Sequence, residues 1–194
     1  PSDLFISGNY YKSISEKSFD NFSPIDGKII NQISFAQKDD IDRAVDSARK
    51  AFEKGHWSNM PPGQRKKILL RFAQLIERDR LELSLLDTID MGKTINDTYN
   101  ADLPTSIDNI EWYAEIIDKL FDDISPSSKE YMGLITKEPI GVVAAIVPWN
   151  YPLWMAIWKI APALITGNSV ILKPAEQSPM SAIKIGALLA EAGL

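Results

Sequence analysis

The chain has 194 residues, enough for one well-buried core and at most part of a second domain. Its 21 Lys and Arg against 26 Asp and Glu leave a formal charge of −5, which argues against a partner held through a nucleic-acid backbone. It holds no cysteine and one histidine, so disulfides and thiolate metal sites are excluded and a Ser-His-Asp triad or zinc site has almost nothing to be built from.

In chain order, the opening segment to Ile33 alternates short apolar pieces with turn residues. Phe5-Ile6, Tyr10-Tyr11 and Ile29-Ile30 read as small strands separated by Gly8, Pro24 and Asp26-Gly27. The spacing predicts a helix from Lys38 or Asp39 with Ile41, Ala44, Val45, Ala48, Ala51 and Phe52 on its core face, stopped by Gly55. Pro61-Pro62-Gly63 opens a second helix with a buried stripe of Leu69, Phe72, Leu75 and Ile76. Its basic Arg65-Lys66-Lys67 start reads as a solvated face. A third helix runs over Leu81 to Ile89 and ends at Gly92. A fourth, Leu103 to Phe121, carries Ile107, Ile110, Ala114, Ile117 and Leu120 inward. Tyr131 to Thr136 is β-like between Pro126 and Pro139.

The last stretch reads strand Val142 to Val147, helix Leu153 to Leu164 with Pro162 late in it, strand Val170 to Leu172, and helix Ser181 to Ala192. Helices first and a βαβα unit last is the pattern of an α/β layered domain. Two parallel strands are too few to bury both faces of a doubly wound sheet, so the domain is read as incomplete, with an unpaired edge that self-association is expected to hide. No signal peptide is recognised before the first strand, and no apolar run reaches the ~18 residues of a membrane span, so the default location is cytoplasmic.

Two turns concentrate the polar residues. Val147-Pro148-Trp149-Asn150-Tyr151-Pro152 ends the first strand with a rigid polar corner. Lys173-Pro174-Ala175-Glu176 ends the second with a cation, a proline and a carboxylate. Parallel strands releasing polar residues at their C-terminal ends build the ligand crevice of open α/β sheets.

Asn150 has two readings: a cap for the helix behind it, favoured by spacing alone, or a fixed amide donor to a developing oxyanion, an effect worth ~3–4 kcal/mol in such roles. Lys173 can reach the ribose hydroxyls or phosphates of a dinucleotide. Glu176 can accept from ribose hydroxyls and would repel a 2′-phosphate; the plain alternative is a solvated ion pair. Ile146, Val147, Pro148 and Trp149 form either a floor under a cofactor or an ordinary core strand with a corner. Lys159, on an otherwise apolar helix, snorkels to solvent or pairs with a buried partner. Trp112, Trp154 and Trp158 are core aromatics or the lining of a substrate tunnel.

P-W-N-Y-P (Pro148 to Pro152), W-K-x-x-P-A-L-x-x-G-N (Trp158 to Asn168) and K-P-A-E (Lys173 to Glu176) together resemble the aldehyde dehydrogenase superfamily. F-I-S-G (Phe5 to Gly8), S-P-I-D-G (Ser23 to Gly27), D-M-G-K (Asp90 to Lys93) and E-A-G-L (Glu191 to Leu194) extend the resemblance over essentially the whole chain, in the family's order. Within the superfamily, the W-Y-A-E helix at Trp112 and the I-V-P-W-N-Y-P turn look most like enzymes for amino-aldehydes such as γ-glutamyl-γ-aminobutyraldehyde or betaine aldehyde.

The resemblance implies an α/β fold: an incomplete doubly wound, Rossmann-like nucleotide-binding domain with a short β arm for oligomerisation. Residues 1–123 would be the N-terminal helical part of the NAD-binding domain, 124–139 the arm (an ordinary surface hairpin being the alternative), and 140–194 its βαβα unit, truncated. It implies catalytic roles for Asn150, as oxyanion donor, and for Lys159, in a proton relay; a structural ion pair remains open for Lys159. Ile146, Val147, Pro148, Trp149, Lys173, Pro174, Ala175 and Glu176 would bind the cofactor, NAD with NADP as the alternative, and Glu176 would bias the choice. No metal is implied. The partners would be a small-molecule aldehyde and further copies of the chain, with no nucleic acid and no membrane.

The family's reaction also needs a cysteine thiolate to attack the aldehyde and a glutamate base to activate water. The chain has no cysteine, and no carboxylate matches that base by motif. The expectation is therefore the N-terminal part of an NAD(P)-dependent aldehyde dehydrogenase, inactive by itself. A non-catalytic nucleotide-binding or oligomerisation module is the alternative.

Overall fold

The computed structural model of the protein describes residues 2–194. β1 (Leu4–Ile6) and β2 (Asn9–Tyr11) form an antiparallel hairpin turned by Ser7 and Gly8, both at positive φ (51° and 78°), as a tight right-twisted hairpin demands. The hairpin lies on the last helix of the chain. A Cβ on Gly186 would stand 2.6 Å from the Phe5 ring, so the close approach depends on glycine there. β3 (Ser18–Phe22) pairs antiparallel with β4 (Ile29–Ser34). β3 is not apparent in the sequence because Asp20-Asn21 reads as a turn; in the fold Asn21 is buried and donates to Asp90 Oδ1 at 2.8 Å.

α1 (Lys38–Lys54) begins in a reciprocal cap between Gln37 and Asp40 and ends at Gly55 in the left-handed conformation. Its expected core face is only half right. The helix packs against β7 and β8, described below, yet Ile41 and Val45 are 45% and 40% exposed. Periodicity reports an apolar face, not what covers it. α2 (Pro62–Arg78) buries Leu69, Phe72, Leu75 and Ile76 as its spacing requires. Arg65, expected in a solvated basic patch, is buried instead, for a reason given below.

α3 (Arg80–Met91) is closed by Gly92. A three-residue turn, α4 (Ile95–Asp97), and a π turn over Thr98–Asp102 then lead into α5 (Leu103–Ile116). The fourth helix stops earlier than its periodicity suggests. After a 3-10 turn over Ile117–Lys119, Leu120 and Phe121 are exposed rather than core. β5 (Asp123–Ser125) and β6 (Gly133–Ile135) form a small antiparallel hairpin.

The core lies among α2, α5, α6 (Pro152–Ile165) and α7 (Met180–Ala192), where Phe72, Leu103, Ile110, Leu153, Ile157 and Ile185 are essentially inaccessible. Truncating one such side chain to alanine costs about 2–5 kcal/mol, so this cluster sets the stability of the platform. Against it lies a parallel pair, β7 (Val142–Ile146) and β8 (Ser169–Lys173), in register from Val142 opposite Ser169 to Ile146 opposite Lys173. Val170 and Leu172 face the helical core. Alternation turns Ala144 and Ile146 the other way, and both are exposed, so the pair is covered on one face only.

α6 is fastened with unusual completeness. A helix leaves its last four carbonyls without partners inside the helix. Here Thr166 Oγ1 donates to Pro162 O (2.8 Å), Asn168 Nδ2 to Ala163 O (3.2 Å), Trp57 Nε1 to Leu164 O (2.9 Å) and Arg65 Nε to Ile165 O (2.9 Å). Arg65 is buried because it is this fourth donor, and it also bonds the carbonyls of Ser58 and Met60. Asn168 Oδ1 accepts from Gly141 N at 3.0 Å, tying the entrances of β7 and β8 together. The helix behind the Asn150 corner is thereby held at its far end.

Candidate functional site

Because β7 and β8 are parallel neighbours, their C-terminal turns leave the sheet side by side. Val147 N donates to Lys173 O at 3.1 Å, and Ser178 Oγ donates to Trp149 O at 3.1 Å, bonding one turn directly to the other. Asn150 is exposed and is not the helix cap that spacing alone suggested. Tyr151 occupies the N-cap position, makes no side-chain cap, and Pro152 starts α6. The Asn150 amide makes no hydrogen bond among the described residues and is free to donate outward. Val147 and Ala175 are buried in the platform, whereas Ile146 (74% exposed), Pro148 and Trp149 lie on its open side. The eight residues expected to hold a cofactor thus lie at two adjoining strand ends, with Val147 and Ala175 buried and most of the others on the open rim.

On that rim Lys173 Nζ meets Glu176 Oε1 at 2.5 Å. The lysine's hydrogen bond holds the Glu176 carboxyl below its ordinary range, so it is ionised at neutral pH. Both side chains are half-exposed, and the pair contributes little stability of its own. A cleft of about 370 Å³ borders Glu176 and Gln177 on the β3 side, with Phe19, Phe22, Pro24 and Asp90 in its wall.

The other candidates are distributed differently. Lys159 is exposed, 5.7 Å above the Trp158 ring, and is not brought to the rim; of its open readings, the solvent-reaching one describes its position. Tyr151, Trp154 and Trp158 form an aromatic row along α6, edge-on at 5.2 Å and then stacked at 6.4 Å. Trp112 is exposed on α5 beside Tyr113 and is neither core nor part of that row.

Residue reading missed the polar face of α3. Asp87, effectively inaccessible, accepts from Leu153 N at 3.3 Å at the start of α6. Asp90 accepts from Met180 N at 2.8 Å at the start of α7, and from Asn21. Lys93 pairs with buried Asp102 at 2.6 Å and stands 3.9 Å over the Tyr151 ring. Burial pushes the Asp87 carboxyl up to about 7 against its hydrogen bonds, with Asp90 and Asp102 adding to the rise. Burial likewise takes Asp90 to about 6, opposed by Asn21 and the Met180 amide. Two aspartates three apart inside an apolar helix were the available signal, since they share a face.

Comparison with known proteins agrees with this architecture. The aldehyde dehydrogenase family matches residues 10–194. The chain is 44% identical over 191 residues to the NADP/NAD-dependent aldehyde dehydrogenase PuuC of Escherichia coli, covering 98% of this chain and 39% of that protein. It is 39% identical over 194 residues to aminoacetaldehyde dehydrogenase of Pseudomonas aeruginosa, covering all of this chain and 39% of that one. Among solved structures, P. syringae indole-3-acetaldehyde dehydrogenase in complex with NAD+ superposes with a TM-score of 0.98 at 48% identity, over 100% of this chain and 39% of the other. The chain thus spans about two fifths of the length of the relatives it matches, and its fold is the N-terminal portion of theirs, a Rossmann-like α/β layer with part of its sheet. With that match over nearly its whole length, the chain belongs to the aldehyde dehydrogenase family.

Proposed function

We propose that this chain is the N-terminal part of an NAD(P)-dependent aldehyde dehydrogenase that converts an aldehyde, of the amino-aldehyde class, to a carboxylic acid. The observation that carries it is the shared rim: an outward, uncommitted Asn150 amide beside a Lys173–Glu176 pair on the neighbouring parallel strand. Resemblance to aminoacetaldehyde dehydrogenase supports the substrate class.

The residues present fit a dinucleotide. Lys173 and Glu176 would bond the ribose hydroxyls, a reading supported by their half-exposed pairing at the end of β8, and Ile146, the register partner of Lys173, leaves an apolar side chain exposed beside them. Val147, Pro148, Trp149, Pro174 and Ala175 would supply the floor. When bound, NAD accepts a hydride. The Asn150 Nδ2–H donates to the oxygen of the aldehyde carbon as negative charge grows on it, and Pro148 and Pro152 restrict the backbone on either side of that residue. Such pre-orientation is what makes a hydrogen bond stronger in the transition state than in the ground state. Lys159 would take part in proton transfer only by way of groups outside this segment, since it lies on the outer face of α6.

Residues 1–123 and 140–194 are proposed as one nucleotide-binding unit, with 124–139 as an arm that joins copies of the protein into a homo-oligomer. No described helix is long and apolar enough to cross a membrane, and a cytoplasmic site of action belongs to the same proposal. The nucleophile must come from outside these residues, so residues 1–194 alone are expected to oxidise no aldehyde.

The test is steady-state NAD reduction with γ-aminobutyraldehyde-type substrates by the protein expressed from its whole reading frame. The wild type should turn over, and Asn150→Ala should lose on the order of 100- to 1,000-fold in kcat with NAD affinity little changed. Turnover by residues 1–194 alone, or an undiminished Asn150→Ala enzyme, would contradict the assignment.

A further inference from the structure

The two turns of the rim are each followed by a helix, α6 after Asn150 and α7 after Glu176, and one face of α3 holds the starts of both. Asp87 accepts the Leu153 N–H in the first turn of α6. Its second oxygen is buried without a hydrogen-bond partner among the described residues, as is the hydroxyl of Ser181 in the first turn of α7. Asp90, one turn along, takes the Met180 N–H at 2.8 Å. Lys93, anchored by Asp102, covers the ring of Tyr151, the residue next to Asn150.

A carboxyl with this burial is costly, and an apolar side chain of similar volume in its place is often neutral or stabilising. What leucine would lack is a directed acceptor. The N–H groups at a helix start have no partner inside the helix, and an acceptor there fixes the angle at which the chain enters. For α6 the entering chain is the Trp149-Asn150-Tyr151 corner, since Pro152 has no N–H and Leu153 offers the next one. We propose that Asp87 is a positioning residue. It sets the start of α6, and through it the direction of the Asn150 amide, in register with the start of α7 and the Lys173–Glu176 turn. This inference rests on the role given above to Asn150.

The protein expressed from its whole reading frame is the material, with Asp87→Leu removing the acceptor at similar volume and Asp87→Asn keeping a carbonyl for Leu153 N–H. Asp87→Leu should lose on the order of tenfold to a hundredfold in kcat, as a small misplacement of a reacting group does, while its melting temperature stays at or above that of wild type. Asp87→Asn should restore kcat to within about threefold, and amide exchange over Leu153 to Ala156 should quicken in the leucine variant alone. A role confined to stability would move the melting temperature and leave kcat in place. If Asp87→Leu does not fold, Asp87→Ala, which admits water, carries the same readouts. A kcat loss under about fivefold, or unchanged exchange at the start of α6, overturns the inference. A wild type without aldehyde turnover would instead remove the role of Asn150, and the exchange comparison would still decide whether Asp87 orders that start.

Discussion

Glu176 shows how far one residue can be read. From the sequence its carboxylate three residues after Lys173 suggested ribose recognition, and the structure puts the pair at hydrogen-bond distance on the open rim. Its charge is secured by Lys173, so a 2′-phosphate in the same place would meet an ionised carboxylate. At about 4 Å, two unit charges repel by about 1 kcal/mol in water and more where solvent is excluded, which makes discrimination of at least fivefold reasonable for so exposed a group. Glu176→Ser should therefore lower KM for NADP by about fivefold to tenfold while changing KM for NAD far less. Equal shifts for both cofactors would mean that Glu176 does not read the 2′ position. Asn150 was less legible, because its competing role as helix cap is local and common. Only the backbone course, which gives the N-cap position to Tyr151, separates the two readings.

Helices and strands were legible where their ends carry punctuation. Gly55 and Gly92 stop α1 and α3 in the left-handed conformation, and Pro62 opens α2. β3 and the π turn were not legible, because a strand with Asp20-Asn21 inside it and a five-residue widened turn lack any local signature. α3 is the informative failure. Its apolar spacing identifies a helix but does not reveal that Asp87 and Asp90 point inward to the starts of two distant helices.

That burial has a consequence for pH. Both carboxyls have folded pKa values raised above their unfolded ones, to about 7 and about 6, so the folded state binds protons more tightly than the unfolded chain. Their contribution to stability is therefore greatest below about pH 4 and is lost as pH rises through about 6 to 7. Asp40 opposes them. Burial raises its pKa, but the Gln37 and Ile14 amides and the Ser13 hydroxyl outweigh this and hold it low, so its stabilising effect is present at neutral pH and lost on acidification. The melting temperature is expected to fall from about pH 5 to about pH 8, and to fall less steeply in Asp87→Asn, which cannot ionise. Parallel slopes for the two proteins would show that Asp87 does not titrate in that window.

At the scale of the whole molecule, the unfinished sheet was evident from the chain itself: two parallel strands cannot bury both faces of a doubly wound layer, and Ala144 and Ile146 are in fact open. The small β5–β6 hairpin presents a second apolar surface. Ile124 and Leu134 are register partners, so their side chains share one face, and each is about two-thirds exposed at 66% and 67%. Exposed pairs of this kind on a two-stranded hairpin stabilise the chain little, since an isolated hairpin is marginal in water. They gain their value when another surface covers them. If this hairpin is the arm that joins copies of the protein, Leu134→Asp places a carboxylate where apolar contact is needed, and each 1.4 kcal/mol of that cost weakens assembly about tenfold. Light scattering on the protein from its whole reading frame should then give a smaller mass for Leu134→Asp than for wild type at the same concentration. The chain's own core, among α2, α5, α6 and α7, includes no residue of this hairpin and should keep its thermal transition. An unchanged mass would assign the hairpin to the surface of each copy and leave the assembly, if there is one, to the open face of the sheet.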